Sequence, residues 1–330
     1  MENTAIDFVV TWVDDSDPVW RAKKAEHTGV GETEGNTNVR YRDWDTLKYW
    51  FRGVEKFAPW VRYVFFVTDD QKPEWLNVDH PKLKWVKHTD FIPSEYLPTF
   101  SSNAIEWNLH RIKELSENFV YFNDDMFLLR PAAAADYFRE GLPCVCAREE
   151  PWVFRSPVGV WSHAAANGLG VINRHFPKGA AVAAFGRKLR HGSLRQRLGT
   201  QLLQILYPDA FTGFVNVHGP SAFRKATFRQ VWAAEEELLD AACRRRFRSA
   251  ADLNQWVMLW WQVASGAFYP QEMDNLVMDL SEENISRLCH AIRGQSHEAL
   301  CVNDPGGEVP VAELIAAFEE LLPEKSGFEL

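Results

Sequence analysis

Residues 6–13, IDFVVTWV, are apolar and β-branched almost throughout, and they run straight into the polar turn Asp14-Asp15-Ser16-Asp17-Pro18. A short continuous apolar run reads as a strand buried on both faces, of the kind found in parallel sheets. The pattern recurs. Residues 63–68, YVFFVT, end in Asp69-Asp70-Gln71, residues 83–86 form a short third run, and residues 119–122, FVYF, end in Asn123-Asp124-Asp125. Helix-spaced apolar sets lie between them. Leu47, Trp50, Phe51 and Val54 mark 43–57, closed by Pro59; Ile105, Leu109, Ile112 and Leu115 follow a cap at Ser101 or Ser102. This β-α-β-α alternation predicts an α/β fold, a doubly wound, mostly parallel Rossmann-like sheet. Ligands of such sheets bind beyond the carboxyl ends of the strands, where this sequence gathers its acidic residues.

The rest of the chain is less regular. Residues 27–39 are rich in Gly, Thr and Asn and read as a loop. Residues 132–212 read as a helical insertion, for acceptor or membrane contact, within one catalytic domain spanning 1–330. Leu194, Leu198, Leu202, Ile205 and Leu206 mark an amphipathic helix in it, with core packing as the other reading. A strand is expected at 214–217 and a helix from Ser221 to about Leu239. Ser249 and Asp252 fit a capping box opening the helix that carries Trp256, Leu259 and Trp260, and 300–302 reads as a late strand.

With 330 residues and 46% hydrophobic content, the chain can bury a sizeable core. A net charge of -9 argues against nucleic acid as a partner. Two basic runs interrupt the acidic background: Arg187, Lys188, Arg190, Arg195 and Arg197, then Arg244, Arg245, Arg246 and Arg248. Such runs suit phosphates or an anionic surface, or they are solvated helix faces. Five cysteines, an odd number with no C-x-x-C, argue against a disulfide framework or zinc ribbon and for a reducing compartment. The start lacks a basic n-region and no run nears the roughly 20 apolar residues of a membrane span. The expected location is cytoplasmic, with peripheral contact at the inner face of the membrane.

The chemistry-bearing residues fall at predicted strand ends. Asp14 with Asp17, Asp124 with Asp125, and Asp304 offer the hard oxygen ligands that Mg²⁺ or Mn²⁺ prefers. Acidic turns are common, so each cluster alone is weak. The strongest is Asp124-Asp125, where an apolar strand terminates directly in paired carboxylates. His218, after an apolar run and before Gly-Pro, can take a proton from a hydroxyl, although a lone histidine is more often structural. Arg248, at the start of the expected capped helix, can grip phosphate with its planar fork, or be a surface arginine. Among 14 tryptophans, Trp12, Trp44, Trp75 or Trp107 could stack on sugars; core packing is the simpler reading.

These motifs together resemble the Stealth family, which comprises bacterial capsular polysaccharide phosphotransferases and the animal lysosomal-enzyme N-acetylglucosamine-1-phosphotransferase. IDFVVTWVDDSDPVW (6–20) is similar to its first block. RYRDWDTLKYWFRGVEKFAPWVRYVFFVTDDQKPEWL (40–76) and LPTFSSNAIEWNLHRIKELSENFVYFNDDMFLLRP (97–131) are similar to its second, HGPSAFRKATFRQVW (218–232) to its third and CVNDP (301–305) to its fourth. The resemblance implies transfer of a sugar-1-phosphate from a nucleotide-sugar, UDP-linked, to a hydroxyl of an acceptor glycan or lipid-linked glycan. It implies catalytic roles for Asp17, Asp125, His218 and Arg248, with His218 or Asp17 as the base. Mg²⁺ or Mn²⁺ would sit on Asp124, Asp125 and Asp304. Arg40, Asp43, Arg52, Ser101 and Ser102, with Asp14 and Thr68, are implied in donor binding or site support. One departure is Asp15, where many relatives carry a turn glycine, so a left-handed conformation would be less comfortable there. Two rivals remain at this stage: a metal-dependent glycosyltransferase that releases nucleoside diphosphate, and a non-catalytic glycan-binding protein without a metal requirement.

Overall fold

The computed structural model describes residues 5–28, 37–153, 159–215 and 218–330. Most of the expected 27–39 loop and the end of the expected 214–217 strand lie outside these residues. Four strands build the centre: β1 (Ile6–Thr11), β2 (Val64–Thr68), β3 (Leu83–Lys87) and β4 (Asn118–Asn123). They are parallel, in the order β3-β2-β1-β4, and Ser221–Arg224 closes the β4 edge antiparallel. This is the mixed α/β, mostly parallel sheet that the alternation predicts.

The two faces of this sheet feed separate cores, which is why its strands are apolar almost throughout. Phe8, Val10, Phe66 and Phe122 pack with Trp50, Phe51 and Val54 of the Leu47–Phe57 helix and with Leu314 and Phe318 of the Val311–Leu321 helix. Val9, Phe65, Phe119 and Tyr121 pack on the other side with Trp107, Phe228 and Val257.

The chain changes sheets at the candidate metal motif. After β4 it turns through Asp124-Asp125 into β5 (Met126–Leu128), which pairs antiparallel with Ala299–Asn303 in a second, three-stranded sheet. Val302 N–H donates to the Asp125 carbonyl at 2.9 Å, so this turn is tied to the second sheet. The predicted 300–302 strand therefore belongs here and not to the central sheet.

Other expectations need correction. Phe214 makes only an isolated bridge, to Glu149. The expected 221–239 helix divides: Ser221–Arg224 is the edge strand, and helices run over Lys225–Ala234 and Glu236–Cys243, broken at Glu235. Pairing with β4 overrides helix propensity at 221–224. Asp252 accepts from Ser249 N–H as a capping box would, but the helix starts only at Trp256; Asp252 instead closes a turn and pairs with Arg245 at 2.6 Å. Ser101 precedes the Ser102–Asn108 helix without a side-chain cap bond.

The Leu194–Leu206 helix begins at a real capping box on Ser193. Its polar Thr200 and Gln204 are buried, whereas Leu194 (71%), Leu198 (56%), Leu202 (54%), Ile205 (67%) and Leu206 (60%) are exposed. The apolar stripe therefore does not pack into a core. Among the described residues no helix is long and apolar enough to cross a membrane. All five cysteines are free and buried.

Candidate active site

The site lies at the carboxyl ends of β1 and β4 and is built around the Asp124-Asp125 turn. Burial raises both carboxyls above their ordinary range. Asp125 and Asp43 push Asp124 further, while the nearby His218 and Arg248 partly offset the shift at Asp125. Asp125 Oδ1 is buried and without a hydrogen-bond partner. One oxygen of Asp125, one His218 nitrogen and Cys301 Sγ lie within 4.8 Å of one another. Burial, with Asp125 beside it, raises the Cys301 thiol, so it stays protonated, and it donates to Asn303 Oδ1 at 3.7 Å.

His218 is held below its ordinary value of 6.5 by burial, with Arg248 acting in the same direction and Asp125 against it. At neutral pH the imidazole is therefore uncharged, the state a proton acceptor requires. Arg248 donates through Nη2 to Ser102 Oγ at 2.6 Å. Burial raises the carboxyl of Glu106, one helical turn on, with Arg248 and a bond from Ser102 partly offsetting the shift. Tyr121 of β4 donates to Glu106 Oε1 at 3.3 Å and meets Thr11 Oγ1 of β1 at 2.9 Å. The guanidinium is thus braced from the sheet through three side chains, which fixes its direction without consuming its whole donor fork.

A second group of carboxylates continues from the first. Burial raises Asp43 to about 6, assisted by Asp45 and Asp14. Trp12, Asp14, Asp43, Asp45, Lys72 and Trp75 are among the residues lining a cleft of about 370 Å³. Asp43 links this cleft electrostatically to Asp124. Mutually destabilised carboxylates and an orphaned, buried Asp125 oxygen are what a divalent cation would relieve. The hard oxygen donors fit Mg²⁺ or Mn²⁺.

Several expected site residues are committed elsewhere. Asp17 caps the Pro18–His27 helix: Oδ1 accepts from Val19 and Trp20 N–H, and Oδ2 from Gln71 Nε2 at 3.1 Å. Burial raises its carboxyl, but these bonds outweigh it and lower the pKa, leaving a poor base. The structure does not link Asp17 to Asp125 or His218 by any contact among the described residues. Gln71 also bridges both backbone groups of Asp14, so this turn closes without a left-handed residue at Asp15. Thr68 is fully buried; it donates to the Gln71 carbonyl and accepts from Trp85, and so supports that turn and not a ligand. Arg52 forms a bidentate, buried pair with Glu329 and caps the Leu322 carbonyl. Breaking such a pair costs about 3–5 kcal/mol, so Arg52 is not available to a donor. Asp304 is neutralised by Arg42, which bonds both its oxygens at 2.7 and 2.5 Å, and it is not a third metal ligand in this arrangement. Ser101 is buried behind the helix start, and Arg40 lies at the exposed rim near Tyr41. Of the four tryptophans considered for sugars, Trp107 is core; Trp12 and Trp75 line the acidic cleft.

Reasoning from sequence missed Glu106, Tyr121, Gln71 and Cys301. Glu106 did carry a signal, an acid one turn after Ser102 on the same helix. The others show themselves only once the strands are paired.

The chain is similar to known polysaccharide phosphotransferases. Stealth protein CR1, conserved region 1, matches residues 4–26, and Stealth protein CR2, conserved region 2, matches residues 40–144. A capsular polysaccharide phosphotransferase WcwK of Streptococcus pneumoniae is 39% identical over 98% of both chains. A receptor polysaccharide phosphotransferase WefC of Streptococcus gordonii is 40% identical over 98% of this chain and 99% of its own length. An exopolysaccharide phosphotransferase cps2G of Lactiplantibacillus plantarum is 36% identical over 98% of this chain and 96% of its own.

Proposed function

Because the chain belongs to the Stealth family of polysaccharide phosphotransferases, we propose that it transfers a sugar-1-phosphate from a nucleotide-sugar, UDP-linked, to a hydroxyl of an acceptor glycan or lipid-linked glycan. The observation that carries this reading is the meeting of Asp125, His218 and Arg248 beside one sheet edge. The acceptor oxygen forms a bond to the phosphorus that bears the sugar. The bond from that phosphorus to the bridging oxygen of the diphosphate breaks, and the nucleoside monophosphate leaves with its electron pair. The hydroxyl proton passes to the neutral imidazole of His218. Arg248, held by Ser102, faces the charge spread over the transferring group, where a preorganised guanidinium acts most strongly. Asp124 and Asp125 would hold Mg²⁺ or Mn²⁺, which supplies charge neutralisation to the leaving phosphate. Asp43 and Asp14 line the approach beside them. The bond between sugar carbon and oxygen is untouched, so the anomeric configuration is kept.

On the same reading the chain is a single catalytic domain, with 132–212 serving acceptor and membrane contact. The exposed ridge of the Leu194–Leu206 helix supports this. Arg187, Lys188, Arg190, Arg195 and Arg197 accompany it in a chain of net charge -9, and that combination fits an anionic lipid surface, such as the inner face of a bacterial membrane.

The test is the nucleotide released. Incubated with a panel of nucleotide-sugars and Mg²⁺ or Mn²⁺, the protein should release nucleoside monophosphate, and a chelator should stop it. Release of nucleoside diphosphate would replace this reading with glycosyl transfer.

A further inference from the structure

Beside His218 the chain builds an aromatic surface that the transfer chemistry does not use. Four indoles meet there. Trp152 is central, with ring centroids 6.0 Å from Trp161, 5.7 Å from Trp256 and 5.4 Å from Trp260. Trp161 and Trp256 also meet each other edge to face, at 6.0 Å.

The cluster is fixed from below. Trp260 is buried, and Trp152 Nε1 donates to the Phe214 carbonyl at 2.9 Å. Trp152 lies so close over Gly213, at φ 139°, that a Cβ there would fall 1.8 Å from its Cδ1. Only glycine accommodates both the backbone angle and the ring. Among the described residues the upper side is open: Trp161 is 55% exposed and Trp256 is partly exposed. The Trp256 ring meets His218 edge to face at 6.4 Å.

A single exposed tryptophan is ordinary on a protein surface. A rigid, partly exposed pair beside a proton acceptor is different, because it offers an exposed ring face with little ordering cost on binding. The negative face of an indole attracts the C–H face of a pyranose ring. It offers nothing to a diphosphate, which cations and backbone N–H groups recognise. We propose that Trp161 and Trp256 form the acceptor subsite, on which a sugar ring of the glycan stacks with its attacking hydroxyl turned toward His218. This inference rests on the proposed transfer and adds the means by which the acceptor is held.

The test titrates the intrinsic fluorescence of the full chain with a panel of neutral di- to tetrasaccharides of hexoses and N-acetylhexosamines. At least one should give a saturable change that Trp161→Ala loses and Trp161→Phe keeps in part. With that glycan as acceptor, Trp161→Ala should raise the acceptor KM about tenfold and leave the donor KM in place. Trp256→Phe provides a second, conservative variant, with a smaller rise in acceptor KM. Two results would overturn the proposal: no glycan of the panel perturbing the fluorescence, or a Trp161→Ala acceptor KM within about twofold of the parent. Nucleotide release is read in the same reactions, so failure of the transfer reading itself would show separately, as nucleoside diphosphate or no release.

Discussion

At the residue scale the account turns on one protonation state. Burial and Arg248 hold His218 below 6.5, against the pull of Asp125. A group with a lowered pKa is already neutral at pH 7, so activity that needs the neutral form is present there and is lost as pH falls through the folded value. The pH profile of kcat/KM should therefore be level from pH 7 upward, with an acid limb centred below 6.5. His218→Asn should abolish that limb and lower kcat by about 10²–10⁴-fold, the range of a lost general base. An acid limb centred above 7, or a His218→Asn variant of parental rate, would rule out the assignment. Asp17 could not take the role, because its lowered carboxyl is spent on capping a helix. Sequence showed Asp17 only as an acid beyond a strand, and the Pro18 that follows it is also a first-turn helix signal. The role as a cap was therefore legible.

At the element scale, the parallel strands were legible because burial on both faces leaves a continuous apolar run. The Ser221–Arg224 strand was not, because four residues with no alternation merge into the helix signal that follows. The position of Ala299–Asn303 in a second sheet was equally hidden, since strand partners are long-range. The Leu194–Leu206 helix was visible as amphipathic, but periodicity cannot say whether the apolar side faces a core or the outside. Its exposed leucines lead to a prediction. The parent protein should float with vesicles containing anionic lipid and much less with neutral ones. Leu198→Glu combined with Ile205→Glu should abolish flotation and leave nucleotide release in solution unchanged. Parental flotation of that variant, or a concentration-dependent dimer that it dissolves, would assign the ridge to another role.

Over the whole molecule, the site is held together at a cost to stability. Asp43 has its carboxyl raised to about 6 from 3.8. A raised pKa means the folded state binds the proton more tightly, so this contribution favours folding at low pH and is lost as pH rises through 6. Above that pH the charged form costs about 3 kcal/mol, on the scale of 1.36 kcal/mol per pH unit. Asp43→Asn should therefore raise Tm at pH 8, less so at pH 4.5, and added Mg²⁺ or Mn²⁺ should narrow the gap by stabilising the parent. A lower Tm for the variant at pH 8 would contradict this. None of this strain is visible in sequence, where Asp43 is one acid among 45 Asp and Glu residues. It arises only when folding buries Asp43 and brings Asp14 and Asp124 near it.

The most direct measurement is the phosphorus NMR spectrum of the purified product formed from donor, acceptor and metal. The account predicts a phosphodiester resonance in the product, coupled to both the donor sugar's anomeric proton and an acceptor carbinol proton, with one phosphate left on the nucleotide. A glycosidic product without phosphorus, beside a nucleoside diphosphate, would contradict it.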